Sequence, residues 1–181
     1  MKIFTPPPIL GLKLLQPDIY NDERGYFFES YNYETFKNLG IQDVFVQDNQ
    51  SCSKENVIRG LHFQLPPFAQ AKLVRVIKGA VLDVAVDIRK KSSTYGQYFS
   101  VMLSEENQLQ FYLPEGFAHG FAALRDDTVF SYKCSNIYHK DMERSLLFND
   151  EDLNINWNIE NPIITPKDLQ AIHFKNFISP F

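Results

Sequence analysis

The stretch that decides the fold is residues 72–88, KLVRVIKGAVLDVAVDI. It contains two runs rich in Val and Ile, Lys72–Ile77 and Val81–Ile88, on either side of Gly79. Branched side chains of this kind favour strands. The turn between the runs is too short to hold a crossover helix, which a parallel pair would need. The stretch therefore predicts two neighbouring antiparallel strands.

The same pattern continues on both sides of this pair. From residue 44 to residue 133, apolar and aromatic runs are broken by Gly, Pro, Asn, Ser or Asp clusters about every ten residues. This spacing disfavours a parallel α/β fold and predicts an all-β sandwich or barrel. Short helices are predicted at Tyr33–Leu39, and after Thr165, where Pro166 suits the first helical position. The predicted strands are Phe45–Asn49, Val57–Gln64, Lys72–Ile77, Val81–Ile88, Gln97–Leu103, Gln108–Leu113, His119–Leu124 and Val129–Cys134.

Length and composition indicate one globular domain. The chain has 181 residues, 44% of them hydrophobic, with no repeat or long linker, so residues 1–181 are expected to form a single jelly roll with N-terminal and C-terminal arms. A net charge of −4 gives no attraction to nucleic acid or an anionic membrane. Cys52 and Cys134 form no CxxC motif, which suits a reduced cytoplasmic compartment. The first residues contain no long apolar stretch, so we expect a cytoplasmic protein without a membrane partner.

Residues 114–119, PEGFAH, have the PxGxxH spacing of the second cupin motif, which delivers a His to the barrel interior. The first motif of metal-binding cupins supplies an HxH pair and a following Glu. Here Gln64 stands two residues after His62, and no Glu occurs before Gly79. The chain has four His in total, which makes three protein ligands hard to assemble. We therefore expect a cupin-type jelly roll with no metal and no other cofactor, with a purely structural His119 as the plain alternative.

Residues 59–64, RGLHFQ, and residues 69–74, AQAKLV, place polar side chains inside otherwise apolar strands. Strict alternation puts His62 on one face and Arg59 on the other, unless Gly60 marks a bulge that re-aims its neighbours. Lys72 shares a face with Val74, so its ammonium should point into a partly apolar cavity. A buried cation needs an anionic partner.

These residue types suit proton transfer at carbon. A His with a pKa of about 6.5 can remove a proton next to a ketone if the resulting enolate is stabilised. Lys72 could supply that stabilisation. Tyr132 shares a face with Phe130 and Cys134, so its phenol could return a proton from the opposite side and invert the carbon.

Structural roles remain open for several of these groups. An inward His is often only a core residue whose hydrogen bonds are satisfied within the protein. An inward Tyr often only anchors one backbone hydrogen bond. Asp168 follows Thr165 and Pro166 as the first-turn acid of a helix, so spacing alone favours capping. Asp83 and Asp87 share a strand face, and either could orient a buried His.

Three blocks carry a family resemblance: residues 59–64 (RGLHFQ), 69–74 (AQAKLV) and 116–121 (GFAHGF). With them, the chain resembles the dTDP-4-dehydrorhamnose 3,5-epimerase family over most of its length. The resemblance implies a homodimer of jelly rolls without a cofactor. It further implies conversion of the dTDP-sugar dTDP-4-keto-6-deoxy-D-glucose to dTDP-4-keto-L-rhamnose, for dTDP-L-rhamnose and cell-surface polysaccharide.

The resemblance also implies roles for individual residues. His62 is expected to be the base, Asp168 its orienting carboxylate, Lys72 the enolate stabiliser and Tyr132 the proton donor. The other expected substrate contacts are Arg24, Phe27, Glu29, Gln47, Asn49, Arg59, His119, Tyr138, Glu143 and Lys167.

Three alternatives remain. Asn56 stands where the family often has Gly, and Thr165-Pro166 replaces the usual Ser-acidic pair, which leaves room for an epimerase of C3 only or C5 only. A metal-dependent cupin would need the missing HxH motif. A non-catalytic sugar-nucleotide binder would tolerate loss of Tyr132 and Asp168. A related group of ketoisomerases has two neighbouring His, whereas His62 here lies between Leu61 and Phe63.

Overall fold

The structure is a computed structural model that describes residues 1–4 and 7–181. Its helices are α1 (Tyr33–Asn38) and α2 (Pro166–Leu169), with 3-10 turns at Lys140–Met142 and Phe174–Asn176. Its strands are β1 (Lys2–Ile3), β2 (Lys13–Gln16), β3 (Tyr20–Asp22), β4 (Gly25–Phe27), β5 (Gln47–Ser53), β6 (Ile58–Gln64), β7 (Lys72–Lys78), β8 (Ala80–Asp87), β9 (Tyr98–Ser104), β10 (Gln110–Leu113), β11 (Phe117–Ala123), β12 (Thr128–Cys134) and β13 (Glu143–Ser145).

All eight predicted strands and both predicted helices are present, which confirms the all-β prediction. The largest boundary difference is in β5, which was predicted at Phe45–Asn49 and is found at Gln47–Ser53. In the described part of the chain, no helix is long and apolar enough to cross a membrane.

The strands form two facing sheets of the cupin-like jelly-roll type. One sheet has the order β1-β2-β10-β7-β12-β5, the other has the order β13-β6-β11-β8-β9, and β3-β4 is a separate hairpin. The strands pair antiparallel. The main core lies between the sheets, where Val74, Phe111 and Phe130 pack with Val81 and Phe121.

Each sheet is also covered on its outer face. Residues 146–181, the C-terminal arm, pack Leu146, Leu153 and Trp157 against the five-stranded sheet. α1 covers the six-stranded sheet with Phe36, and its N-cap Asn32 accepts hydrogen bonds from two backbone N–H groups of the first turn. The arm places α2, which contains Asp168, against β6, which contains His62.

The β3-β4 hairpin also lies on the outer face of the six-stranded sheet. Within the hairpin, Tyr26 Oη accepts a hydrogen bond from Gln108 Nε2 at 3.3 Å. Just after it, the Ser30 carbonyl accepts from Gln110 Nε2 at 2.9 Å, and the Phe28 ring centroid lies 5.7 Å from the Arg75 guanidinium. Because Arg75 and its neighbour Val74 point to opposite faces of β7, the sheet separates the hairpin from the space between the sheets.

The predicted alternative of a bulge at Gly60 is confirmed. His119 pairs with His62, but Phe121 pairs with Arg59, so β6 uses one more residue than β11 over this step. A Cβ at Gly60 would lie 2.5 Å from the Gly120 Cα, and its φ of +140° favours glycine. Strict alternation was therefore the wrong prediction, and Arg59 and His62 reach the same cavity.

Candidate active site

Two adjoining cavities, of about 310 and 100 Å³, open between the sheets and share His62, Lys72 and Tyr132. They bring together all but three of the predicted site residues. The larger cavity adds Arg59, His119, Lys167 and Asp168, and the smaller adds Gln47, Asn49, Tyr138 and Glu143.

His62 and Asp168 form a hydrogen-bonded pair at the centre of the site. His62 Nε2 lies 2.7 Å from an Asp168 carboxylate oxygen, and the Asp168 side chain is only 4% exposed. Asp168 also occupies the helix-start position that its spacing predicted, because its backbone N–H donates to Thr165 Oγ1 at 3.3 Å. Capping uses the backbone of Asp168, so its carboxylate is left for His62.

Electrostatics fix the roles within this pair. Burial by itself would raise the pKa of Asp168, but the hydrogen bond and charge of His62 outweigh it, so the pKa lies below its usual value. An ionised Asp168 accepts the Nε2 proton of His62. That arrangement leaves the lone pair on Nδ1, which can then act as a base.

Lys72 begins β7 and faces the cavity. Its Nζ lies 3.5 Å from the His62 carbonyl oxygen. Burial lowers the pKa of the Lys72 ammonium, and the charges of Cys134, Asp83 and Glu143 offset part of that effect. A desolvated ammonium held in place is a strong stabiliser of negative charge that develops beside it.

Tyr132 lies on the opposite sheet from His62, in β12. It shares its inward face with Phe130 and Cys134, as predicted, and packs against the main core. Burial raises the pKa of the phenol, and the nearby Cys134 adds to this while Arg59 opposes it. The phenol is therefore protonated near neutral pH and suits a proton donor.

His119 forms a second His–carboxylate pair. Its Nε2 lies 3.0 Å from both oxygens of Asp83, and both side chains are buried. Burial lowers the pKa of His119 against the opposing charge of Asp83. Asp83 is thus the carboxylate that orients a buried His. Asp87 instead accepts hydrogen bonds from Arg89.

Polar residues also line the rim of the smaller cavity. Tyr138 Oη donates to Glu143 at 2.9 Å, and Lys167 forms an ion pair with the same carboxylate. Burial alone would raise the pKa of Glu143, but the bonds from Lys167 and Tyr138 lower it overall. Gln47 Oε1 accepts from the Tyr138 backbone N–H at 2.7 Å, and Gln47 Nε2 donates to Asn49 at 3.0 Å.

Arg24, Phe27 and Glu29, which were also predicted as substrate contacts, do not reach the cavity of their own chain. Arg24 is exposed and bonds Asp22 at 2.6 Å, Phe27 is 70% exposed, and Glu29 accepts from the Asn32 side chain. The physical reason is the position of the hairpin, since the six-stranded sheet lies between it and the cavity.

Four further residues line the larger cavity but were not predicted as site residues. The sequence did contain a signal for Ser51. Side chains alternate along β5, so Ser51 shares the inward face with Gln47 and Asn49. Among residues 1–4 and 7–181, no group of three His, Cys, Asp or Glu side chains is placed to hold a metal ion. The additional lining residues are Ser51, Phe121, Phe130 and Thr165.

A cupin-like jelly roll whose cavity sets a His–Asp pair opposite a protonated phenol fits an epimerase that inverts a carbon next to a ketone. The family described as dTDP-4-dehydrorhamnose 3,5-epimerase matches residues 6–176. The chain belongs to that family.

Individual members of the family are similar to this chain over nearly its whole length. A dTDP-4-dehydrorhamnose 3,5-epimerase of Salmonella typhimurium is 50% identical over 173 residues, covering 94% of each chain. The crystal structure of dTDP-6-deoxy-D-glucose-3,5-epimerase from Legionella pneumophila, in complex with dTDP-4-keto-L-rhamnose, is 45% identical with a TM-score of 0.91, covering 95% of this chain and 92% of that one. A 3'-monoepimerase from Streptomyces bikiniensis, in complex with dTDP-quinovose, is 33% identical with a TM-score of 0.87, covering 94% and 87%.

Proposed function

We propose that this protein inverts C3 and C5 of dTDP-4-keto-6-deoxy-D-glucose and releases dTDP-4-keto-L-rhamnose, a step of dTDP-L-rhamnose biosynthesis in the cytoplasm. One observation carries the proposal. His62 belongs to the five-stranded sheet and Tyr132 to the six-stranded sheet, and both line the same cavity. A sugar ring bound between them meets a base on one face and an acid on the other.

The reaction at each carbon follows from these positions. His62 Nδ1 removes the proton from the carbon next to the C4 ketone, and the electron pair of that C–H bond moves into the carbonyl to form an enolate. The Lys72 ammonium stabilises the enolate oxygen. Tyr132 then delivers its proton to the opposite face, which inverts the carbon. Asp168 stabilises the imidazolium that His62 becomes, and exchange of protons with water restores both groups.

Charged groups at the two ends of the cavity hold the nucleotide. Arg59 is fixed by its Nε bond to Ser53 Oγ at 3.1 Å and offers its remaining N–H groups to the diphosphate. Lys167, Glu143 and Tyr138 act at the rim, in line with the resemblance.

The protein functions as a homodimer, and each subunit supplies Arg24 and Phe27 from its hairpin, and Glu29 from just after it, to the cavity of the other subunit. Two features support this part of the proposal. The hairpin lies on the far side of the six-stranded sheet from its own cavity, and it exposes Tyr26 and Phe27, which are 58% and 70% accessible. Exposed aromatic residues on a surface element are typical of a contact between subunits.

Incubation with dTDP-4-keto-6-deoxyglucose in deuterated water tests the reaction, with NMR to count solvent deuterium at C3 and C5. The proposal requires deuterium at both carbons and an L-configured product. Deuterium at one carbon would show a single-site epimerase, as in the Streptomyces bikiniensis relative. No exchange at either carbon would refute epimerisation.

A further inference from the structure

Ser51 holds an unsatisfied polar atom beside the reacting groups. It lines the larger cavity together with Arg59 and Tyr132. Its Oγ is buried and has no hydrogen-bond partner among the residues that the structure describes. A buried hydroxyl without a partner is unfavourable, so a group of this kind within a binding cavity calls for a ligand atom.

Strand register fixes where Ser51 faces. In the pairing of β5 with β12, Asn49 is opposite Tyr132, Ser51 is opposite Phe130, and Ser53 is opposite Thr128. Directly opposite residues of an antiparallel pair project to the same face. The inward position of Tyr132 therefore places Ser51 in the cavity, diagonal to the proposed proton donor.

Ser51 is also next to the cation expected to bind phosphate. Arg59 Nε donates to Ser53 Oγ at 3.1 Å, and its Nη2 donates to the Cys52 carbonyl at 3.4 Å. Ser53 lies two residues beyond Ser51 on the same face, about 7 Å along the strand. A ligand that extends from Arg59 to Tyr132 must therefore pass Ser51.

We propose that Ser51 is a substrate-binding residue whose hydroxyl donates a hydrogen bond to the phosphate that carries the hexose. This assignment rests on the proposed function, since it needs a nucleotide diphosphate with its sugar beneath Tyr132. The hexose-linked phosphate is the group that lies between the phosphate-binding Arg59 and the reaction centre.

The hydroxyl is available for this bond at little cost. Rotation about the single χ1 bond of Ser51 re-aims Oγ, and no existing hydrogen bond has to be broken. The Ser53 hydroxyl, in contrast, is already bonded to Arg59. Hydrogen bonds to a charged phosphate are roughly twice as strong as those between neutral groups, so the gain on binding is substantial.

Calorimetry of Ser51→Ala with two nucleotides tests the assignment. dTDP carries the phosphate in question, whereas dTMP lacks it. We expect the Kd for dTDP to rise about tenfold in Ser51→Ala and the Kd for dTMP to stay within about twofold of wild type. Ser131→Ala is the matched control. It removes a hydroxyl from the outward face of β12 and should leave both constants unchanged.

An unchanged Kd for dTDP in folded Ser51→Ala overturns the assignment, and so does equal weakening for dTMP and dTDP. The outcome is separable from that of the proposed reaction. Wild-type protein that binds dTDP with the predicted Ser51 dependence but exchanges no deuterium would refute epimerisation alone. Wild-type exchange at C3 and C5 without a Ser51 effect would refute this inference alone.

Discussion

Two His–carboxylate pairs, one inside the cavity and one outside it, offer a controlled test of the base. His62 contacts Asp168 in the cavity, whereas His173 contacts Asp150 outside it, with Nδ1 to carboxylate at 3.2 Å and a side chain 52% exposed. We expect His62→Ala to lower kcat by roughly 10²–10⁴-fold, because general base catalysis contributes about that much. dTDP binding should be largely kept, since the base contacts carbon-bound protons.

The same assays on His173→Ala should give near wild-type kcat. This variant also loses a histidine from a carboxylate pair, so it controls for changes in charge and local packing. Wild-type turnover in His62→Ala would refute the assignment of the base, whatever the behaviour of His173→Ala.

For single residues, the sequence correctly predicted which side chains of β12 face inward, because residue type and spacing decide this. The inward series Phe130, Tyr132 and Cys134 followed from alternation alone. The pairing of His62 with Asp168 did not, because the two residues are 106 positions apart and the sequence near Asp168 equally describes a helix start. Only the family resemblance gave that carboxylate its second role.

At the scale of the element, the β6 bulge determines how the site is built. Gly60→Ala would place a Cβ 2.5 Å from the Gly120 backbone, and its φ of +140° would be strained as well. We expect a loss of roughly 1–3 kcal/mol or more in the free energy of unfolding, with a fall in kcat because His62 and Arg59 lose their common orientation. Denaturant unfolding and steady-state kinetics measure the two effects.

Gly25→Ala separates strain from steric conflict. Gly25 also has a positive φ, +124°, but no atom lies within 4 Å of an added Cβ. Gly25→Ala should therefore lose less stability than Gly60→Ala. Equal losses in the two variants would show that backbone strain alone is responsible and that the close approach of β6 and β11 is unimportant.

Asp87, at the end of β8, gives a test that depends on pH. Burial by itself would raise its pKa, but hydrogen bonds from Arg89, Ser92 and Thr94 lower it from 3.8 to about 2. Because the pKa is lower in the folded state, the ionised Asp87 carboxylate makes its full contribution to the free energy of unfolding above pH 3.8. This contribution is lost as the pH falls toward about 2.

Asp87→Asn should therefore be less stable than wild type by about 1–3 kcal/mol at pH 7, because charge-assisted bonds are lost. The difference should shrink as the pH falls below 4, since wild type then loses the same contribution. Denaturant midpoints at several pH values measure this. Parallel pH curves for the two proteins would contradict the role given to Asp87.

The sequence predicted the longer strands that bury apolar side chains, but it missed the four-residue β2, which buries Leu14 and Leu15. β7 and β8 are rich in apolar residues, mainly Val, and were found within one residue of their predicted ends. β5 has the sequence QDNQSCS and carries no apolar face, so its extent was underestimated. It is held by seven-residue pairing with β12 and turns its polar face to the cavity. Exposed β3 and β4 carry no such signal and were missed.

At the scale of the whole molecule, the proposed exchange of hairpins predicts complementation. Arg24→Ala and His62→Ala should each be inactive or nearly so, in two-fold symmetric dimers. Mixing unfolded chains of both and refolding them together gives mixed dimers in which one cavity has lost both residues and the other has lost neither. About a quarter of all sites should then be intact, so activity should return to roughly that fraction of wild type.

Size-exclusion chromatography with light scattering provides the accompanying measurement, with the mass of a dimer expected. Absence of complementation in a confirmed dimer would show that Arg24 serves its own subunit or none. A monomeric protein with full activity would refute the exchange entirely.

The His62–Asp168 pair also bears on how the enzyme comes into being on the ribosome. Every strand that builds the cavity precedes residue 146, whereas Asp168 is delivered by the C-terminal arm. A nascent chain halted before α2 has emerged contains both sheets and Arg59, but its His62 lacks the carboxylate that orients it. The His62–Asp168 pair therefore cannot form until α2 has left the ribosome, so the base is oriented only after every strand of the cavity has been made.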